Sequence, residues 1–407
     1  NYWSEGFGSA ADLDAVAPQN PVYLTAKSLH ASWANSAALH LAGITDKTPD
    51  PEGGSIQRDA AGRPTGILLE SAVNLVEGIL PKPGLEDVAR ELLNAQKALL
   101  QMGITAVHDF DRRRCFSALQ LLQAREQLHL RVIKGLPIED LDHVLELGLR
   151  SGFGNDTLRI GSVKAFADGA LGPQTAAMLK PYDDNPINSG ILLMDSEQVF
   201  EAGQRAACAG LGMAIHAIGD RANHEVLDGY AQLRQYEARH SLPELRHRVE
   251  HVQILHDQDL NRLAELKVIA SVQPMHATSD MLMADRYWGA RSAGAYAFGS
   301  LLRSGAKLAF GSDAPVESPN PFRGLHAAVT RQRPDGEPGP SGWYPQQRLE
   351  LLDALHGFTT GPAYAAGWED RQGKLAPGYF ADLILLEEDP FDLPPQELYH
   401  IQPSATM

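Results

Sequence analysis

Three residues that can bind a metal ion, and one lysine, lie at the ends of short apolar runs of the kind that form buried strands. They are Lys164 in LRIGSVK, His216 in GMAIH, His251 in RHRVEH and Asp313 in AKLAFGSD. Zinc prefers neutral imidazole nitrogens and carboxylate oxygens, and a catalytic zinc site keeps one position open for water. Metal binding lowers the pKa of that water towards about 7, and a nearby carboxylate such as Asp313 can take up the proton. The four residues therefore predict a hydrolytic metal centre.

A regular alternation of helix-like and strand-like segments must position these residues. The predicted strands lie near residues 104–110, 130–136, 158–166, 212–216, 247–251, 268–273 and 306–312, and the predicted helices near residues 85–102, 116–128, 139–150, 196–209, 221–239, 257–266, 292–304 and 321–331. Such alternation is typical of a parallel sheet or barrel, in which the C-terminal ends of the strands share one face. The sequence therefore predicts an α/β fold, a TIM-type (β/α)8 barrel.

Seven parallel strands are one fewer than a closed barrel of this type contains. We therefore expect the first strand to lie upstream of Asn1, residues 1–84 to be an insertion between strands 1 and 2, and residues 85–365 to form strands 2 to 8. The tail, residues 366–407, contains a lone β segment, ADLILL. An isolated strand must pair with another segment, and we expect an N-terminal segment to be its partner.

Composition limits the partners and the compartment. There are 35 Lys and Arg residues against 51 Asp and Glu residues, a net charge of −16. The basic residues are scattered, which argues against nucleic acid or an anionic membrane and favours a small-molecule substrate. No apolar stretch reaches the roughly 18 residues of a membrane helix. Two cysteines fit a reducing, cytoplasmic compartment, although the start NYWSEGFG leaves a removed signal peptide open, and a homo-oligomer also stays open.

An ordered set of longer stretches resembles a known family. The stretches are PVYLTAKSLHASWANSAALHLAGIT, GGSIQRDAAGRPTGILLE, GITAVHD, VKAFADGALGPQTAAM, AIHAIGDRAN, HRVEHVQIL, SVQPMHA, GSDAPVESPNPF and GKLAPGYFADLILL. They resemble the amidohydrolase superfamily, and more closely its amidohydrolase 3 branch, which includes the YtcJ-like proteins and N-substituted formamide deformylase. The resemblance implies an eight-stranded barrel with a small composite β-sandwich, to which residues 366–407 would contribute. It also implies hydrolysis of a C–N bond in an amide, formamide or cyclic amide by metal-activated water.

The resemblance also assigns roles to the four strand-end residues. His216 and His251 match the metal histidines of the fifth and sixth strands, and Asp313 matches the aspartate of the eighth. Lys164 matches a position on the fourth strand where a carboxylated lysine can bridge two metals, so one or two divalent ions, with zinc expected, are implied. The His-x-His pair that relatives carry on the first strand is absent from this sequence.

Five further residues are candidates for substrate binding. His108 ends the second predicted strand, Asp168 follows Lys164, and His276 follows the seventh strand. His30 and Trp33 lie in the insertion, in a motif shared with the family. Structural roles explain several of them equally well, since Trp33 could pack at a helix start and Asp168 could form a salt bridge with Lys164.

Two other functions stay open from the sequence. Lys164 could be the Schiff-base nucleophile of a metal-free barrel lyase, because a lysine with a lowered pKa at a strand end can do this chemistry. Alternatively, a truncated, non-catalytic barrel could serve in binding. Borohydride trapping separates the lyase from the hydrolase, and metal analysis separates the hydrolase from the non-catalytic barrel.

Overall fold

The computed structural model describes residues 7–27 and 29–407, and the chain forms two compact units. One unit comprises the chain up to Pro83 together with Gly169–Thr175. The other comprises Gly84–Asp168 and Ala176–Met407. The segment Gly169–Thr175 therefore groups with residues far from it in sequence. All four predicted metal ligands belong to the second unit.

The first unit contains a four-stranded antiparallel sheet with short helices. Its elements are α1 (Ala10–Val16), β1 (Tyr23–Thr25), β2 (Ala31–Ala34), α2 (Ser36–Leu41), β3 (Gly54–Arg58), β4 (Pro64–Glu70) and α3 (Asn74–Glu77). The strands are ordered β1-β2-β4-β3. Small aliphatic side chains from the sheet and helices, including the fully buried Leu68, form its core.

The second unit is built on a seven-stranded sheet. Its strands are β5 (Ala106–Asp109), β6 (Arg131–Pro137), β7 (Leu158–Phe166), β8 (Met213–Ala217), β9 (Arg248–His251), β10 (Ile269–Val272) and β11 (Leu308–Phe310). They lie in the order β11-β10-β9-β8-β7-β6-β5, and each is parallel to its neighbours. All seven predicted strands are present, and the predicted α/β fold of TIM-barrel type is confirmed. The location of the first barrel strand stays a prediction.

The helices of the second unit connect and follow these strands. They are α4 (Leu85–Gln101), α5 (Arg113–Ala124), α6 (Leu141–Glu146), α7 (Ser196–Cys208), α8 (Asp220–Arg239), α9 (Arg262–Glu265), α10 (Pro274–Trp288), α11 (Phe298–Arg303), α12 (Pro321–Thr330), α13 (Leu351–Phe358) and α14 (Thr360–Ala366). None of the helices within the described residues is long and apolar enough to cross a membrane.

Three helices of this unit, α10, α13 and α14, were not predicted from the sequence, and α10 is the longest of them. We predicted a helix near residues 292–304, whereas the structure has the 15-residue α10 at Pro274–Trp288, then a 3-10 turn and the short α11. Most of its buried residues, among them Ala277, Met281, Ala284 and Trp288, recur at helical spacing, but apolar residues also lie on its other side, where Leu282 is 54% exposed. A buried stripe that is not set off by a polar face is a weak signal for an amphipathic helix.

The tail forms a small antiparallel pair of strands, β12 (Ile384–Leu385) and β13 (Ala405–Thr406). The lone predicted β segment thus has a partner about twenty residues downstream. An additional N-terminal partner stays a prediction, as does the division of the chain into an insertion, a barrel and a sandwich segment.

Candidate metal centre

The sheet register brings the strand-end residues to one face. Phe166 of β7 pairs with His216 of β8, and His216 pairs with Glu250 of β9. Residues in register on parallel strands face the same side of a sheet, and Lys164 shares that side with Phe166 because it is two residues earlier. The ring centroids of Phe166 and His216 lie 5.1 Å apart. The register thus places Lys164, His216 and Glu250 on one side of the sheet.

His251 joins this face through an unusual backbone conformation. It follows Glu250, so strict alternation along β9 would point the two side chains in opposite directions. The φ angle of His251 is +77°, in the left-handed region that non-glycine residues seldom occupy. Its ring centroid lies 4.6 Å from that of His216. Leaving the β region thus lets successive residues of β9 contribute to one site.

Three side chains converge closely enough to share one ion. One ligand atom each of His251, His276 and Asp313 lies within 4.8 Å of the others. His276 Nε2 is 3.8 Å from Asp313 Oδ2. Burial, helped by Lys164, lowers the pKa of His251 to about 3, so its imidazole is neutral at pH 7. Neutral imidazoles and a carboxylate are the donors that zinc prefers, and the residues present therefore fit a divalent metal.

Lys164 is a buried amine at the edge of this group. Its Nζ donates a hydrogen bond of 3.3 Å to the carbonyl of Ala165 and lies 4.1 Å from the ring centroid of Phe166. Burial lowers the pKa of Lys164 to about 8, against the opposing effect of the carboxylates of Glu250 and Asp313. In roughly a tenth of the molecules the Lys164 amine is therefore uncharged at pH 7. Both carboxylation and Schiff-base chemistry need that uncharged amine.

Asp168 lies beside His216. Its Oδ1 is 3.5 Å from His216 Nε2, and its carboxylate accepts hydrogen bonds from the backbone N–H groups of Ile218, Gly219 and Ala177. The side chain of Asp168 is fully buried. These contacts favour a role in positioning His216, and direct contact with substrate stays a prediction.

Both ring nitrogens of His108 contact other protein groups. Arg248 Nη1 donates a 3.0 Å hydrogen bond to His108 Nδ1, and His108 Nε2 lies 3.4 Å from the carbonyl oxygen of Pro362. Arg248 also forms an ion pair with Glu250, with Nε and Oε1 2.6 Å apart. Burial and the Arg248 charge lower the pKa of His108 to about 3. With both ring nitrogens in contact with protein, a structural role is favoured over substrate binding.

Comparison with known proteins identifies the family of this site. A model described as the amidohydrolase family (Amidohydro_3) matches residues 3–407. The chain belongs to the amidohydrolase family. The predicted resemblance to the amidohydrolase 3 branch is thereby confirmed.

Three relatives resemble this amidohydrolase over nearly its whole length. Protein LONG AFTER FAR-RED 3 of Arabidopsis thaliana is 34% identical, covering 96% of this chain and 69% of that protein. Putative amidohydrolase YtcJ of Bacillus subtilis (strain 168) is 33% identical, and the match covers 97% of this chain and 74% of that protein. N-substituted formamide deformylase of Arthrobacter pascens is 31% identical, and the match covers 96% of this chain and 73% of that protein.

Solved structures extend the comparison. An uncharacterized metal-dependent hydrolase from Pyrococcus horikoshii OT3 has a TM-score of 0.77 at 32% identity, covering 95% of this chain and 75% of that one. A second uncharacterized metal-dependent hydrolase, from Pyrococcus furiosus, has a TM-score of 0.72 at 32% identity, and the match covers 92% of this chain and 73% of that one. A triazine hydrolase variant, at 17% identity and a TM-score of 0.53, shares the fold alone. The amidohydrolase is thus a hydrolase whose structural neighbours are metal-dependent.

Two predicted substrate-binding residues belong to the first unit. His30 Nδ1 lies 2.8 Å from Glu70 Oε2, and Trp33 Nε1 donates a 2.8 Å hydrogen bond to the backbone oxygen of Ser9. These contacts fix both rings within that unit. Their role in substrate binding stays a prediction.

Several polar residues around the site were missed from the sequence. Arg248 and Glu250 are spaced two apart in a buried strand, and that spacing was the available signal for two inward-facing charges. Gln273 Oε1 lies 2.8 Å from His251 Nδ1, and Gln253 Nε2 lies 3.4 Å from His276 Nδ1. Nothing in the sequence patterns singled out these two glutamines.

The pKa of His108 leads to a prediction about acid stability. A histidine whose pKa falls from about 6.5 in the unfolded chain to about 3 in the fold destabilises the folded state as the pH drops below 6.5. Between pH 7 and pH 5 the cost is about 2 kcal/mol for this one group. Urea unfolding at both pH values should therefore show that the wild type loses about 2 kcal/mol more than His108→Gln. Equal losses in the two proteins would contradict the assignment.

Proposed function

We propose that this amidohydrolase hydrolyses a C–N bond in a small-molecule amide, formamide or cyclic amide, with a divalent metal, zinc being the expected ion. The observation that carries the proposal is the convergence of His251, His276 and Asp313 within 4.8 Å. Similarity to N-substituted formamide deformylase supports the type of bond. Lys164, His216, His251 and Asp313 would hold the metal.

The metal and the residues of the site have separate roles in the proposed reaction. A bound divalent metal supplies Lewis-acid polarisation and lowers the pKa of water. Asp313 lies at the open side of the group, with 37% of its side chain exposed. Its carboxylate takes a proton from the attacking water and passes it to the leaving nitrogen, so that a C–O bond forms, the C–N bond breaks, and an acid and an amine are released. Asp168 holds His216 in place through its contacts with the backbone.

A substrate panel with metal control tests the proposal. The panel contains N-substituted formamides, linear acylamides and cyclic amides, and the readout is the newly formed amine or carboxylate. We expect one class to be hydrolysed, a chelator to remove that activity, and added zinc to restore it. No hydrolysis of any class by zinc-loaded protein would contradict the C–N assignment, and activity that survives removal of all metal would contradict the metal dependence.

The lyase alternative can be tested in the same samples. Its support is the buried Lys164 amine, whose pKa is about 8. Borohydride is added with a carbonyl compound, and the protein mass is measured. We expect no adduct on Lys164; a stable adduct there would favour the lyase. Residence in the cytoplasm and assembly into a homo-oligomer stay proposals.

A further inference from the structure

His276 enters the site from a different kind of element than the other histidines. His216 and His251 come from strands β8 and β9, whereas His276 lies in the first turn of α10, after β10. It is 6% exposed. Its ring is nearly parallel to that of His251, with an interplanar angle of 15° and centroids 6.0 Å apart. One nitrogen of each ring lies within 4.8 Å of a carboxylate oxygen of Asp313.

The Nε2 atom of His276 is buried without a hydrogen-bond partner. It lies 3.8 Å from Asp313 Oδ2, which is too far for a hydrogen bond. Two ligands of one zinc ion, each bonded at about 2.0–2.1 Å in tetrahedral geometry, lie about 3.3 Å apart. A small movement would therefore allow Nε2 and the carboxylate to share one cation, and that cation would remove the cost of an unsatisfied buried nitrogen.

Each of the two stacked histidines contacts a buried glutamine through Nδ1. At His251, Gln273 Oε1 accepts from Nδ1–H over 2.8 Å, so the neutral ring presents the lone pair of Nε2. At His276, the Gln253 amide lies 3.4 Å from Nδ1, and the Oε1 atom of Gln253 is itself buried without a partner. Amide oxygen and nitrogen are nearly indistinguishable in size, and the hydrogen-bond network decides their placement. Turning the Gln253 amide gives an Nδ1–H to Oε1 bond and reproduces the His251–Gln273 arrangement.

We infer that His276 is a metal ligand beside His251 and Asp313, and that Gln253 is the positioning residue that presents its Nε2 lone pair. The inference rests on the proposed metal dependence and changes the role of His276 from substrate binding to metal binding. Metal-bound histidines generally donate their second N–H to an oxygen acceptor, and loss of that acceptor weakens metal affinity about 10- to 100-fold. The site would then draw a ligand from the start of α10 in addition to those from strands β7, β8 and β9 and from the segment after β11.

Cobalt binding tests the inference without relying on turnover. The metal-free protein is titrated with Co2+, with the visible absorption of the bound ion recorded and the Kd measured by competition with a chromophoric chelator. We expect His276→Gln to weaken binding at least about tenfold and to change the absorption spectrum. Gln253→Met should weaken binding by about 10- to 100-fold, whereas Gln253→Glu, which keeps an oxygen acceptor, should bind within about threefold of wild type. His326→Gln, at another buried histidine, is the matched control and should bind as wild type does.

The outcomes separate this inference from the proposed function. Unchanged affinity and spectrum in His276→Gln, with tight binding by the wild type, overturn the ligand role of His276 and leave the metal-dependent hydrolase standing. Weaker binding in His276→Gln but not in Gln253→Met overturns the positioning role of Gln253. A wild-type protein that binds neither Co2+ nor Zn2+ overturns both proposals. Circular dichroism checks folding, and if His276→Gln does not fold, the comparison of Gln253→Met with Gln253→Glu decides.

Discussion

Asp313→Asn is expected to reduce kcat/KM for the best substrate on the order of a thousandfold or more, because an amide cannot accept the proton of the attacking water at neutral pH. The substitution keeps the size of the side chain and one oxygen. Asp313 also sits in a left-handed backbone conformation, φ +56°, which asparagine tolerates well. The loss should therefore come from chemistry more than from misfolding, and steady-state kinetics with metal analysis of the same samples would measure it.

A matched control makes this result interpretable. Asp370 is an exposed aspartate in the same unit, and Asp370→Asn should keep kcat/KM within about twofold of wild type. If Asp313→Asn retains its metal and loses activity, the proton-transfer role is supported. If it loses the metal as well, its ligand role dominates. Activity within tenfold of wild type would contradict both roles.

The strands were predictable because each buried parallel strand is a nearly continuous apolar run that ends in a polar loop. The same signal located Lys164, His216 and His251, whose residue types stand out against their apolar neighbours. Helix α10 gave a weaker signal, since apolar residues such as Leu282 also lie on its exposed side. The grouping of Gly169–Thr175 with the first unit depends on tertiary contacts between distant parts of the chain, which no local pattern encodes.

The details of the site depended on backbone geometry that the sequence does not display. His251 reaches His216 because its φ angle is positive, and a histidine gives no warning of that conformation. Gln253 and Gln273 become relevant only once their neighbours are placed in space. His276 was predicted to line the site, but its closeness to Asp313 depends on where α10 begins. Residue type and order therefore predicted which side chains could form the site, and the backbone determines their arrangement.

A second large effect concerns a buried arginine outside the metal group. Arg331 is fully buried at the end of α12. Its Nε donates a 2.9 Å hydrogen bond to the backbone oxygen of Trp343, and its Nη1 donates one of 3.0 Å to that of Tyr296. The guanidinium also lies 5.0 Å from the Trp343 ring and 5.5 Å from the Phe298 ring. Burial lowers the pKa of Arg331 to about 9, so it stays charged at pH 7 while linking residues from three parts of the chain.

Arg331→Ala is expected to lower the free energy of unfolding by about 3–5 kcal/mol, because the Trp343 carbonyl loses its Arg331 donor, the Tyr296 carbonyl keeps only the Phe298 N–H, and a large cavity remains. Urea unfolding followed by tryptophan fluorescence would measure the change. Arg333→Ala is the matched control. The Arg333 Nη2 atom lies 3.3 Å from Oδ2 of Asp335, whose side chain is 60% exposed. The free energy of unfolding should therefore fall by less than about 1 kcal/mol. Arg331→Met separates the two causes, since it fills most of the volume but donates no hydrogen bond. If Arg331→Met is as stable as wild type, packing alone accounts for the buried arginine, and the hydrogen bonds to Trp343 and Tyr296 add nothing.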